Sequence, residues 1–174
     1  MTDSTKTLYN GRIIKLNLEQ VTLPNGQQCE LEIIHHPGGV AILALDGLQR
    51  MCLLRQFRHA VGGWLWEIPA GKREPGEAPI KTAHRELIEE AGMQANELVP
   101  IGEMVPSPGV LTEVVHLFLA KELKPVEQAH EAHEVIEVHW LEQARVKAMV
   151  RAGEITDAKT VSALYHWSLM NPNS

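Results

Sequence analysis

The chain has few cysteines and no excess of positive charge. Its two cysteines, Cys29 and Cys52, are too few for a disulfide framework and lack the spacing of a Cys-rich metal site. Both lie in strand-like runs, so we expect reduced thiols in or near the core. The net charge of −6 argues against a nucleic-acid backbone as partner, because such a protein favours a basic face. A small phosphate-bearing ligand held by a few local cations remains compatible with this charge.

Long apolar segments are also missing. The first residues, MTDSTKTLYNGR, are polar and lack the apolar core of a signal peptide. No run approaches the roughly 20 apolar residues that a membrane helix needs. We therefore expect a cytoplasmic protein with no membrane partner. The length of 174 residues, with 44% hydrophobic and 22% charged residues, is typical of one globular domain.

The hydrophobic pattern predicts strands, then one helix, then strands, then two helices. Residues 11–36 predict two strands around LPNG, where Asn25-Gly26 supplies the positive φ of a tight hairpin. This order of elements is typical of an α/β sandwich with a mixed sheet. The remaining predicted strands are residues 38–46, 50–59, 64–72, 98–106, 114–123 and 135–141, and the predicted helices are residues 78–91, 141–152 and 157–170.

Three carboxylates lie close together on the first predicted helix, whose apolar face is predicted as Ile80, Ala83, Leu87, Ile88 and Ala91. Glu86 and Glu90 are one turn apart on one face, and Glu89 is offset by about 100°. Like charges four residues apart repel each other, whereas a shared Mg²⁺ or Mn²⁺ ion would turn that repulsion into coordination. A solvated acidic face is the alternative for these residues taken alone. Glu77 and Arg85 suit the orientation of the loop and the helix, with Arg85 paired either with Glu77 or with Glu89 at i+4.

The residues around these carboxylates resemble a Nudix box. Gly71, five residues, Glu77, seven residues and then RELIEEAGM complete a 23-residue pattern at Met93. The resemblance implies an α/β/α sandwich and a hydrolase that uses Mg²⁺ or Mn²⁺ to cleave a nucleoside diphosphate linked to another moiety. It implies metal ligation by Glu86, Glu90 and the main-chain carbonyl of Ala70. Glu89 would be a further ligand or would activate water.

Other stretches resemble one group within this family, the ADP-ribose pyrophosphatases. Pro108 follows Met93 by fifteen residues, in SPGVLTE. Further matches to the group are NGRII, LPNG, RQFRHAVG, WEIPAGK, FLAKEL and, near the C-terminus, GEITDAKTVSALYHW. The resemblance implies a substrate such as ADP-ribose or another nucleoside diphosphate sugar, cleaved to a nucleoside monophosphate and a sugar phosphate. It also implies a homodimer, with residues 1–37 as an N-terminal β-hairpin extension for dimerisation or substrate and residues 38–174 as the Nudix domain.

The resemblance also suggests residues that contact the substrate or the attacking water. Glu113, in the loop after SPG, would be catalytic, and either Glu113 or Glu89 would be the general base. Arg58 carries the planar fork that suits a diphosphate, and Arg55, an odd number of positions away, is predicted on the other strand face. The other candidates are Arg12 and Ile13, which would lie near the nucleobase of the substrate. Glu67 and Lys72 flank the loop that carries Ala70 and are also candidates for substrate binding.

Several aromatic and histidine residues have simpler interpretations than a site. Trp64 and Trp66 can stack on a base, but core or dimer-interface packing is the alternative. His130, His133 and His139 are interpreted as exposed histidines, since no Cys or second His cluster completes a zinc site.

Two other functions are weighed against the sugar-nucleotide hydrolase. The first is a hydrolase that removes oxidised nucleoside triphosphates from the nucleotide pool, against which Pro108 and the N-terminal strands argue. The second is a non-catalytic module that senses ADP-ribose. The intact box argues against such a module, and no segment is left for a DNA-binding domain.

Overall fold

The computed structural model describes residues 2–128 and 135–171. The strands are β1 (Thr2–Asn10), β2 (Lys15–Thr22), β3 (Gln28–His35), β4 (Gly39–Ala44), β5 (Met51–Arg58), β6 (Gly63–Glu67), β7 (Ala70–Lys72), β8 (Met93–Met104), β9 (Val115–Pro125) and β10 (Ile136–Leu141). The helices are α1 (Pro79–Ala91), α2 (Gln143–Arg151) and α3 (Ala158–Met170), and a 3₁₀ turn spans His59–Val61. His130 and His133 lie outside the described residues.

The chain forms two compact units, of which the first contains the residues up to Gly38 together with Val105–Val114. Its sheet has the order β1-β2-β3 and is antiparallel throughout. The predicted hairpin around LPNG is confirmed, with Gly26 in the turn at a φ of 83°. Strand β1 was not predicted, because all nine of its residues are exposed and its polar sequence has no apolar alternation.

The second unit contains the sheets β10-β5-β6 and β7-β4-β9-β8. Strand β4 runs parallel to β9, whereas the other neighbouring strands of this unit are antiparallel. Alternate residues of β4 point to opposite faces. Val40 and Ile42 pack with α1, and Ala41 and Leu43 pack with α2 and α3. Helices therefore cover both faces of a mixed sheet, which confirms the predicted α/β/α sandwich.

Helix α1 begins with a proline at its first turn and ends at Gly92, which has a φ of 62°. The left-handed conformation at Gly92 lets its N–H reach the Ile88 carbonyl at 3.0 Å and stops the helix. The apolar face predicted for α1 was partly wrong, because Ile80 is 43% exposed. The buried face instead combines Ala83, Leu87 and Ala91 with the polar residues Thr82, Glu86 and Glu90.

Among the described residues, no helix has the length and hydropathy required to cross a membrane.

Candidate active site

The buried polar face of α1 is the centre of the site. Thr82, Glu86 and Glu90 follow one another at intervals of one turn and are all buried. A buried carboxylate costs free energy unless it is paired or hydrogen-bonded. The residues around α1 must therefore offset this concentration of negative charge.

Arg85 provides much of that compensation. Its Nη1 atom donates to Glu86 Oε1 at 2.7 Å and to Glu89 Oε2 at 2.8 Å. Its Nη2 atom donates to Glu77 Oε2 at 3.2 Å and to the Lys72 carbonyl at 3.1 Å. The predicted Glu77–Arg85 pair is thus present, but the same guanidinium also draws two other carboxylates together.

The charges around Arg85 shift the pKa of both partners. The hydrogen bond from Arg85 lowers the pKa of Glu77 to about 2, against desolvation, and bonds from Glu74 N–H and Thr82 add to the effect. Burial acts to lower the pKa of Arg85, but Glu77, Glu86 and Glu89 outweigh it and raise that pKa. Both groups are therefore held in their charged forms.

The loop that enters β7 lies directly against these carboxylates. The N–H of Ala70 donates to Glu90 Oε2 at 2.8 Å. A Cβ atom added to Gly71 would overlap the Glu86 carboxylate. Any other residue carries a Cβ and would force the Glu86 carboxylate out of this position. The first glycine of the box thus allows a close approach of the main chain to the Glu86 carboxylate.

The donor chemistry here suits a hard divalent cation. Glu86, Glu89 and Glu90 supply carboxylate oxygens beside a main-chain loop, and such oxygen ligands are preferred by Mg²⁺ and Mn²⁺. Within the described ranges, no three His, Cys, Asp or Glu side chains are already grouped as metal ligands. Glu86 and Glu89 turn to Arg85 instead, and Glu90 accepts the Ala70 N–H. The residues fit a metal chemically, with Arg85 holding two of the three carboxylates.

Arg58 and Glu67 form a two-bond ion pair. Arg58 Nε and Nη2 donate to Glu67 Oε1 and Oε2 at 3.1 and 2.7 Å. Burial acts to lower the pKa of Arg58, but Glu67 outweighs it, Glu90 adds to the effect, and the pKa is raised. The negative charge of Glu90 on α1 thus helps to keep Arg58 charged, and Glu67 orients the Arg58 guanidinium.

The other candidates on this sheet have structural partners. Arg55 Nη1 lies 3.5 Å from Glu137 and its guanidinium lies 5.0 Å from the centre of the Trp64 ring. This agrees with a position on the strand face opposite to Arg58. Trp66 packs against the core and meets the His139 ring at 4.9 Å. Lys72 lies on β7, in the other sheet of this unit; it is exposed, and its carbonyl accepts from Arg85 Nη2.

Glu113, Arg12 and Ile13 belong to the first unit. Glu113 Oε1 lies 3.3 Å from His36 Nδ1. Its loop is tied to β3 by bonds from Ile34 N–H to the Val110 carbonyl at 2.7 Å and from Thr112 N–H to the Ile34 carbonyl at 3.0 Å. Arg12 and Ile13 are exposed between β1 and β2.

A polar network at the start of α3 was missed by the sequence analysis. Asp157 Oδ2 accepts from the N–H and the hydroxyl of Thr160 at 2.9 and 2.7 Å. Thr160 Oγ1 in turn accepts the Ile68 N–H at 2.9 Å. The aspartate at the helix N-cap is readable from sequence. Its connection to Ile68, 92 residues away from Thr160, is not readable.

Comparison with known proteins identifies the family. The NUDIX domain family matches residues 35–164, and the chain belongs to that family. An ADP-ribose pyrophosphatase of Bacillus subtilis (strain 168) is 39% identical over 97% of this chain and 92% of the relative. A methanol dehydrogenase activator of Bacillus methanolicus is 36% identical over the same shares of the two chains, 97% and 92%.

A solved structure shows the same fold. That of an ADP compounds hydrolase aligns with a TM-score of 0.84 over 100% of this chain and 96% of the other, at 19% identity. The Nudix resemblance is thus confirmed by the family match, and the predicted fold class by this structural likeness.

Proposed function

We propose that this chain is a divalent-metal-dependent hydrolase of ADP-ribose or another nucleoside diphosphate sugar. The products would be a nucleoside monophosphate and a sugar phosphate. The observation that supports this proposal most directly is the packing of the Gly71 main chain against the Glu86 carboxylate. Beside it, Glu90 accepts a hydrogen bond from the Ala70 N–H. The similarity to an ADP-ribose pyrophosphatase supports the substrate class.

The cation would be Mg²⁺, with Mn²⁺ as the alternative. Glu86, Glu89, Glu90 and the Ala70 carbonyl would hold it. When bound, such a cation neutralises the charge of a diphosphate and lowers the pKa of the attacking water.

The side chains of this chain would divide the remaining tasks. Arg58, which Glu67 binds in the absence of substrate, would bind the phosphate that is not attacked. Glu113 or Glu89 would accept the proton of the attacking water. Glu89 suits this role because its side chain is 31% exposed, against 10% for Glu86. Arg12 and Ile13 would contact the nucleobase of the substrate, and Lys72 would lie beside the loop that carries Ala70.

We also propose that the chain acts as a homodimer. The first unit exposes large apolar side chains on or beside β1 and β3, namely Leu8, Tyr9, Ile13 and Leu31. Burial of such a surface against a second copy would remove it from water. Sedimentation at micromolar concentration should show a dimer, and a monomer would contradict this proposal.

A substrate panel tests the proposed activity. Nucleoside diphosphate sugars and oxidised nucleoside triphosphates are each incubated with Mg²⁺ or Mn²⁺, and the released monophosphate or pyrophosphate is measured. We expect turnover of one or more sugar nucleotides. Turnover of the triphosphates alone would overturn the proposal and favour a nucleotide-pool hydrolase.

A second candidate function is activation of a dehydrogenase. It is favoured by the 36% identity to the methanol dehydrogenase activator of Bacillus methanolicus. The test adds this chain, or its Glu90→Gln variant, to a purified methanol dehydrogenase and measures the oxidation rate. Stimulation by both proteins would indicate an activator that works without hydrolysis. Stimulation by the wild type alone would link the two activities, and no stimulation would exclude this candidate.

A further inference from the structure

Glu67 lies between two cations, although it needs only one. Its side chain is 3% exposed, so its charge has little access to water. Glu67 Oε2 accepts from Arg58 Nη2 at 2.7 Å, and Lys159 Nζ lies 3.6 Å from the same oxygen. A buried carboxylate that loses its cation is strongly destabilising. The second cation therefore has a role whenever the first one is engaged elsewhere.

The two cations are held in different ways. Arg58 is the last residue of β5, and its side chain is 39% exposed, against 23% for Lys159. Lys159 Nζ donates to Asp157 Oδ1 at 2.6 Å. Asp157 is fixed at the N-cap of α3, and its partner Thr160 is bonded to the residue that follows Glu67. Helix α3 thus fixes the Lys159 ammonium beside Glu67, while Arg58 is the partner with access to a ligand.

We propose that Lys159 is a positioning residue that pairs with Glu67 when Arg58 turns to the substrate diphosphate. This role rests on the proposed function. The Lys159 ammonium needs to move less than about 1 Å to reach hydrogen-bond distance from Glu67. Arg58 can then give its planar fork to phosphate oxygens, while Glu67 keeps a cation.

The direct test is Lys159→Met, which keeps the length of the side chain and removes its charge. We expect KM for the preferred sugar nucleotide to rise about tenfold, with kcat within about twofold of the wild type, because ground-state and transition-state binding are weakened together. The Kd of α,β-methylene ADP-ribose, measured by calorimetry, should rise by the same factor. Lys159→Arg should restore both values. Lys124→Met removes an exposed lysine of β9 and should change neither.

A Glu67→Gln background separates pairing from a general structural effect. A neutral amide needs no counter-ion, so Lys159→Met should leave Kd unchanged in that background. An equal effect of Lys159→Met in both backgrounds would overturn the role of Lys159. Urea unfolding of each variant shows whether the measured binding belongs to folded protein.

The failure of this inference is distinguishable from failure of the proposed function. If the wild type neither binds the methylene analogue nor hydrolyses any sugar nucleotide, the proposed function fails, and the role of Lys159 with it. If the wild type does both and Lys159→Met is unchanged, only the role of Lys159 is contradicted.

Discussion

The main chain at Gly71 lies so close to the Glu86 carboxylate that a Cβ at residue 71 would overlap it. This contact joins the two ends of the Nudix box, the loop at β7 and the buried face of α1. Replacement of Gly71 by alanine should displace the carboxylate by about an ångström, and such a misplacement costs about 100-fold in rate. We therefore expect Gly71→Ala to lower kcat by about that factor, measured by released monophosphate.

The matched control for this variant is Gly47→Ala. Gly47 has open space around an added Cβ and no positive φ, so alanine should be tolerated there. Circular dichroism should show both variants folded. Full activity of Gly71→Ala would contradict the close approach.

Glu77 makes the stability of the fold depend on pH. The Arg85 hydrogen bond lowers its pKa from 4.5 to about 2. A carboxylate whose pKa is lowered by folding stabilises the folded state at pH values above its unfolded-state pKa. This stabilisation is lost as the pH falls from about 4.5 towards 2. Glu77→Gln should therefore reduce the free energy of unfolding at about pH 6 and matter much less near pH 2. Urea unfolding across this range measures the difference, and the same pH dependence in Glu97→Gln, an exposed glutamate of β8, would contradict the assignment.

Thr160 links α3 to Ile68, just before the loop of the proposed metal site. Its hydroxyl donates to Asp157 and accepts the Ile68 N–H, and the residue is fully buried. Thr160→Val keeps the shape and removes the hydroxyl, which leaves the Ile68 N–H without this partner. We expect a loss of about 1–3 kcal/mol in the free energy of unfolding. Thr160→Ser retains the hydroxyl and should lose less; equal losses would show that the hydrogen bonds do not matter.

The two thiols should differ sharply in reactivity. Cys52 is buried in β5, and burial, with the charge of Glu90, raises its pKa to about 12. Cys29 is only partly buried in β3. Because the thiolate is the reactive form, an aromatic disulfide reagent should titrate one thiol in native protein and both in urea. Cys29→Ser should abolish the native signal, and rapid labelling of both thiols would contradict a buried β5.

The elements predicted best are those whose burial follows a simple period. Strand β4 is an unbroken apolar run, and α1 ends at the expected glycine, so both could be predicted from local sequence. Strand β1 could not be predicted, because it is exposed along its whole length and its extended conformation depends on pairing with β2. The boundaries of α2 and α3 agree with prediction to within two residues at each end.

The site was predictable as a set of residues but not as a set of contacts. The spacing of the Nudix box predicted Glu86, Glu89 and Glu90 as candidate site residues. It did not show that one guanidinium bonds Glu77, Glu86 and Glu89 together. The pairing of Lys159 with Glu67 was equally hidden, since β6 and α3 are far apart in sequence and meet only in the folded chain.

The most direct test of the account is the turnover of Glu90→Gln on the preferred sugar nucleotide at saturating Mg²⁺. The amide oxygen can still accept the Ala70 N–H, so the fold should be kept while the ligand charge is lost. Because a bound metal stabilises transition-state charge by several kcal/mol, we expect kcat to fall about 1,000-fold or more. Near-normal turnover of this variant would contradict the central claim that the carboxylates of α1 hold a catalytic cation.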